Sequence, residues 1–79
     1  MVIGRNKDSH IVIDSPHISR LHCIIDKNDM VLELRDMNSR NGVTVNYERV
    51  QKRALCDGDV ITIGKFDMIY FISKAPENF

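Results

Sequence analysis

"CDGDVITIG", residues 56–64, carries a turn and a strand within one short stretch. Asp57-Gly58-Asp59 is a turn signal, because glycine takes φ > 0 without strain and aspartate bonds to nearby backbone. Val60 to Ile63 then run as β-branched residues that alternate partly between faces, as in a half-buried strand. The aspartates read as turn residues rather than as a catalytic carboxylate pair. The same grammar recurs along the chain. "IVI" (11–13), "HCII" (22–25), "VLEL" (31–34), "VTV" (43–45) and "MIYFI" (68–72) are further short apolar runs. Between them stand "RNKDS", "DSPHIS", "DKND", "DMNSRNG" and "IGK", all rich in turn formers. The only helical candidate is "YERVQKRAL" (47–55), where Val50 and Leu55 are too few to make an apolar stripe. Short strands at close spacing predict an all-β sandwich or barrel.

Bulk properties narrow the function. A chain of 79 residues makes one domain, and at this size it buries only about 60% of its unfolded surface. Its 43% hydrophobic and 28% charged content is that of a globular domain. Eleven basic residues balance eleven acidic ones, so no global field draws nucleic acid or an anionic membrane. Any anion site must be local. Five aromatics offer no stacking platform for single strands. Cys23 and Cys56 match no zinc spacing; a disulfide between them is compatible with the sequence, although their flanks suit reduced thiols better. His10 and His17 add no ligand pair on one element, so neither a metal nor another cofactor is expected. No run is long enough to span a bilayer as a helix, and no signal peptide is present, which reads as an intracellular module.

"SPHISRLHC" (15–23) poses the functional question. Ser19 and His22 could be a nucleophile and its base, His22 and Cys23 half of a metal site, or the stretch an anion-holding loop. Two other loops share its theme: "GRNKDS" (4–9) with Arg5, and "MNSRNG" (37–42) with Ser39, Arg40, Asn41 and Gly42. If the three meet at one end of a sandwich, they gather guanidinium, hydroxyl and carboxamide groups. A guanidinium forks onto two oxygens of an oxyanion, and hydroxyls and loop N–H groups donate to the rest. Hydrolysis needs a positioned base and a third group to orient it, and neither is visible.

Gly4-Arg5, Ser19-x-x-His22, Asp36-x-x-Ser39-x-Asn41-Gly42, Val45-Asn46 and Gly58-Asp59-x-Ile61-x-Ile63-Gly64 stand in order. Together they resemble the forkhead-associated (FHA) domain, a phosphothreonine-binding sandwich of two antiparallel sheets. The likeness covers Ile3 to about Ile72, giving an FHA domain over 1–73 and a tail over 74–79. It implies that Arg5 clamps the phosphate, that Ser19 donates its hydroxyl, and that Arg20 reaches the phosphate or the adjacent peptide. Asn41 would bond the peptide main chain, although Asn-Gly is also the usual pair of a tight hairpin turn. Gly4, His22 and Gly42 would be architectural, with His22 bracing the loops. His17 lies on the loop that in this family helps to choose residues downstream of the phosphothreonine. An imidazole there would favour acidic ones at low pH, since imidazoles ordinarily titrate near ~6.5.

The chain departs from the pattern in three places. Arg40 stands where the family often has a hydroxyl residue, and would either add a guanidinium to the phosphate or leave a donor missing. Val43 replaces the usual threonine, a change expected to disturb local packing rather than binding. "MVIG" gives only a stub of first strand, so the sandwich is expected to be N-terminally short with an open sheet edge. The resemblance implies a non-enzymatic adaptor in kinase signalling, in nucleus or cytoplasm, whose partner carries phosphothreonine. An open edge favours the alternative, a phospho-independent interaction or homodimerisation module.

Overall fold

The computed structural model describes residues 1–71, and among them every regular element is a strand. In chain order these are β1 (Val2–Gly4), β2 (Ile11–Val12), β3 (Cys23–Asn28), β4 (Val31–Asp36), β5 (Val43–Val45), β6 (Glu48–Val50), β7 (Lys52–Ala54), β8 (Val60–Ile63) and β9 (Phe66–Ile69). They form a five-stranded sheet, β2-β1-β3-β4-β7, and a four-stranded sheet, β6-β5-β8-β9. The expected all-β sandwich is the fold. Its pairings are antiparallel except β1 with β2, which run parallel because loop 5–10 carries the chain back before re-entry.

Period-two alternation builds the core. Ile3, Cys23, Ile25 and Leu34 point inward from the first sheet, and Val43, Val45, Ile61 and Ile63 from the second, all buried. Val43, expected to disturb local packing, is instead a buried member of this core. Ile18 and Leu55 close the core from loops.

The structure refines the sequence reading at three places. Only the last residue of "DKND" turns: β3 continues through Asn28, and the reversal falls at Asp29, whose φ is 57°. "YERVQKRAL" forms no helix, as its lack of an apolar stripe implied; it supplies two edge strands that its pattern does not signal, β6 and β7, one in each sheet, joined through Gln51 alone. Edge strands show little alternation because their side chains are mostly exposed, which hides them from pattern reading. The stub "VIG" is also no edge: β1 lies between β2 and β3. Among the described residues the sheet edges are β2, β7, β6 and β9. The suggested tail, 74–79, lies outside the described residues, as does Ile72 of the last run.

Candidate functional site

The three loops singled out in the sequence do meet at one end of the sandwich. Loop 5–10 runs against loop 13–22 through backbone: Arg5 N–H donates to Ser19 O at 3.0 Å and Asn6 N–H to Arg20 O at 3.1 Å. This approach requires Gly4, since a Cβ there would lie 2.1 Å from Arg20 O. The Arg5 side chain follows the same line. Its Nε donates to Ile18 O at 3.0 Å, which aims the guanidinium and leaves its terminal NH2 groups for a ligand.

Loop 37–42 is built from within. Ser39 N–H donates to Asp36 Oδ1 and Gly42 N–H to Ser39 Oγ, both at 3.0 Å and both buried. Gly42 takes φ +78°, where side chains are strained. Asn41-Gly42 is not a hairpin pair, because the loop passes from β4 in one sheet to β5 in the other. It docks on loop 13–22 twice: Arg40 N–H donates to Ser19 Oγ at 3.0 Å, and Asn41 Nδ2 to His17 O at 2.6 Å.

His22 is fully buried beneath this junction. Its Nδ1 accepts from Ser19 N–H at 3.1 Å and its Nε2 faces Gly42 O at 2.8 Å. An N–H on one side and a carbonyl on the other require the Nε2–H tautomer. Both ring nitrogens are thus taken by backbone, and Ser19 Oγ is held by Arg40 N–H instead of the imidazole. The next residue, Cys23, is buried and reduced; burial and, secondarily, Asp36 push its thiol up to about 12. Thiolate is the reactive and metal-binding form, so Cys23 is inert packing. Among the described residues no group of His, Cys, Asp and Glu could hold a metal ion.

The loops enclose a cavity of about 220 Å³ lined by Arg5, Pro16, His17, Ile18, Ser19, Arg20 and Arg40. Three arginines and a serine are among its lining residues, and no carboxylate is. Ser19 Oγ accepts from Arg40 N–H and so keeps its own proton for donation. The arrangement can hold a multiply charged oxyanion.

Sequence reading missed two features. A second cavity of about 180 Å³ is lined by His17, Asn41, Gly64 and Lys65; "IGK" had signalled only a turn. Asp59 is also more than a turn residue. It is buried, its Oδ1 accepts from Asn46 Nδ2 at 2.9 Å, and its Oδ2 accepts from Cys56 N–H at 2.7 Å. These bonds, the backbone one first, hold its carboxyl below the ordinary value of 3.8.

Comparison with known proteins agrees with this geometry. The FHA domain family model matches residues 1–64. The chain is 41% identical over 68 residues to FHA domain-containing protein FhaA of Mycobacterium tuberculosis, covering 86% of this chain and 13% of that protein. It spans only 9% of the ABC transporter ATP-binding/permease protein Rv1747 of the same organism, at 43% identity over 96% of this chain. The chain is therefore a small fraction of the length of these relatives. Among solved structures, a protein studied for phosphothreonine-dependent FHA domain interactions superposes with TM-score 0.88 at 38% identity, over 94% of this chain and 77% of that one. Mycobacterium tuberculosis EmbR in complex with a low-affinity phosphopeptide superposes with TM-score 0.90 at 36% identity, over 98% and 21%.

Proposed function

The chain belongs to the FHA domain family, and from that premise we propose that it binds phosphothreonine peptides as a phospho-dependent adaptor in kinase signalling. The observation that carries the reading is the cavity walled by Arg5, Arg20 and Arg40 with Ser19 and no carboxylate in its lining. A phosphomonoester brings a charge of roughly −1.5 to −2 and several acceptor oxygens. Arg5 clamps it with the NH2 groups left over from its bond to Ile18 O. Ser19 donates its hydroxyl. Arg20 and Arg40 supply the remaining charge, so the residue at position 40 supports phosphate binding rather than leaving a gap. Asn41, tethered to His17 O by its Nδ2, offers Oδ1 to a peptide N–H. His17 lies at the side of the phosphate, where it bears on the neighbouring ligand residue. Gly4, His22 and Gly42 hold the loops.

The module has no catalysis of its own and acts inside the cell. The commitment of both His22 nitrogens to backbone supports the lack of catalysis, because a serine nucleophile needs a base on its hydroxyl.

Fluorescence anisotropy with matched threonine, phosphothreonine and phosphoserine peptides from a degenerate pool tests the reading. Phosphothreonine is expected to bind best, with Arg5→Ala weakening it by about 1.5–3 kcal/mol, the usual range for a charged hydrogen bond. Equal affinity for threonine and phosphothreonine ends the proposal.

A second reading, assembly through a sheet edge, is favoured by one observation. Beside edge strand β9, Met1, Ile11, Ile25, Ile61, Met68, Ile69 and Tyr70 line an apolar groove of about 140 Å³, and Phe66 and Ile69 are exposed.

A further inference from the structure

Gly42 has a close neighbour besides His22 and Ser39. A Cβ at this position would lie 2.8 Å from both Cζ and Nε of Arg49 and 2.9 Å from its Nη2. A point almost equidistant from three atoms of one planar group lies over its plane, not at its edge. The Arg49 guanidinium therefore lies flat on the side of Gly42 where other residues carry a side chain. Strand register explains how it gets there. Arg49 on β6 pairs with Thr44 on β5, and Thr44 stands between Val43 and Val45, whose side chains are buried. Thr44 and Arg49 thus share the outer face of the sheet. Gly42, two residues before Thr44, is the diagonal neighbour of Arg49. Diagonal neighbours stand about 7–8 Å apart, within reach of a long side chain.

Three groups thus restrain one glycine. Gly42 O accepts from His22 Nε2–H at 2.8 Å, and Gly42 N–H donates to Ser39 Oγ at 3.0 Å. Arg49 covers the remaining side, from solvent. A glycine at φ +78° has no side chain to limit its own backbone, so its neighbours must do so. Arg49 is exposed, and among the described residues it forms no ion pair. Its contact here is with Gly42, not with a carboxylate. Asn41 immediately precedes this corner, so fixing the corner fixes the direction in which Asn41 is presented.

We infer that Arg49 is a positioning residue for phosphopeptide recognition: by covering Gly42 it holds Asn41 where its carboxamide meets the peptide main chain. The inference rests on the phosphothreonine reading and adds to it a residue outside the three loops. Arg49 is not among the residues that line the phosphate cavity. It acts through Asn41, so its effect falls on the hold of the peptide main chain and not on the phosphate. Lysine does not replace it, because an ammonium carries the charge without the plane. Holding one contact group in place before binding is worth about three- to tenfold in affinity, from the usual cost of ordering a side chain.

The test reads anisotropy of the best-binding phosphothreonine peptide from a degenerate pool on wild type, Arg49→Ala, Arg49→Lys, Asn41→Ala and the double variant of Arg49→Ala with Asn41→Ala. Inorganic phosphate, titrated into isotope-labelled wild type and Arg49→Ala and followed by amide NMR shifts, reads the phosphate cavity alone. Arg49 is exposed on an edge strand, so its variants fold, with urea midpoints close to that of wild type. Both Arg49 variants are expected to bind the peptide about three- to tenfold more weakly, with phosphate affinity unchanged. Once Asn41 is alanine, Arg49→Ala should cost nothing further, because the two act on one contact. Wild-type peptide affinity in Arg49→Ala or in Arg49→Lys overturns the inference and leaves the phosphate site standing. So does an equal loss with and without the Asn41 carboxamide, or a loss that peptide and inorganic phosphate share with a lowered urea midpoint, which marks general loosening of the fold. Failure of the whole pool to bind wild type overturns both readings together.

Discussion

At the scale of single residues, the end of the sandwich divides into groups that can meet a ligand and groups that hold them. His22 and Ser19 illustrate the division although they stand three positions apart. His22 is buried and ties two loops through both ring nitrogens. Truncating it leaves a cavity, a buried Gly42 carbonyl without its donor and the Ser19 N–H without its acceptor. His22→Ala is therefore expected to lower the unfolding free energy by about 3 kcal/mol in urea denaturation. Ser19→Ala removes a hydroxyl at the cavity mouth, and the Arg40 N–H it releases is exposed to water. That variant should cost less than about 1 kcal/mol in stability while weakening phosphopeptide binding. A His22→Ala protein as stable as wild type would contradict the bracing role.

Elements are held in register by a polar clamp at the end of the second sheet. The β5–β6 hairpin turns on Asn46 and Tyr47, with φ of 52° and 68°, as a two-residue turn with both residues in the left-handed region. Asn46 Oδ1 accepts from Val60 N–H at 3.0 Å, and its Nδ2 donates to Asp59, joining this turn to the start of β8. Because the folded carboxyl of Asp59 titrates below its unfolded value, the sign of the linkage is settled. Its contribution is fully present above the ordinary value of 3.8 and is lost as pH falls through the depressed folded value. Asp59→Asn should be less stable than wild type near neutrality, and the difference should shrink as pH drops below about 4. Thermal melts of both proteins across that range check it; a gap unchanged at low pH would mean that the charge is irrelevant.

For the whole molecule, one end and one flank of the sandwich offer different things to a partner. The end gathers arginines and a lysine around two neighbouring cavities. The flank along β9 presents an apolar groove, an exposed Ile69 and a strand that is an edge among the described residues. On the assembly reading, size-exclusion chromatography with light scattering gives a mass that rises with concentration. Ile69→Lys, which places a charge on the edge, returns it to the monomer. A concentration-independent monomeric mass in the wild-type protein ends that reading.

The sequence by itself determined the class of fold and the chemistry of the site. Strand periodicity and turn chemistry are local properties, so "VTV" and "VITI" became β5 and β8 with their predicted bounds. Residue type is also local, so Arg5, Ser19, Arg20 and Arg40 were legible as donors suited to an anion before any distance was known, and the structure gathers them around one cavity. Only the tertiary structure decided the edges and the junctions. The strands β6 and β7 look polar and patternless because each has a neighbour on one side only, a fact of sheet order rather than of composition. The Asn41 bond to His17 O spans 24 positions, and Lys65 joins the same place from another hairpin. Such contacts follow from how two sheets pack and twist against each other, and short-range patterns carry no record of that.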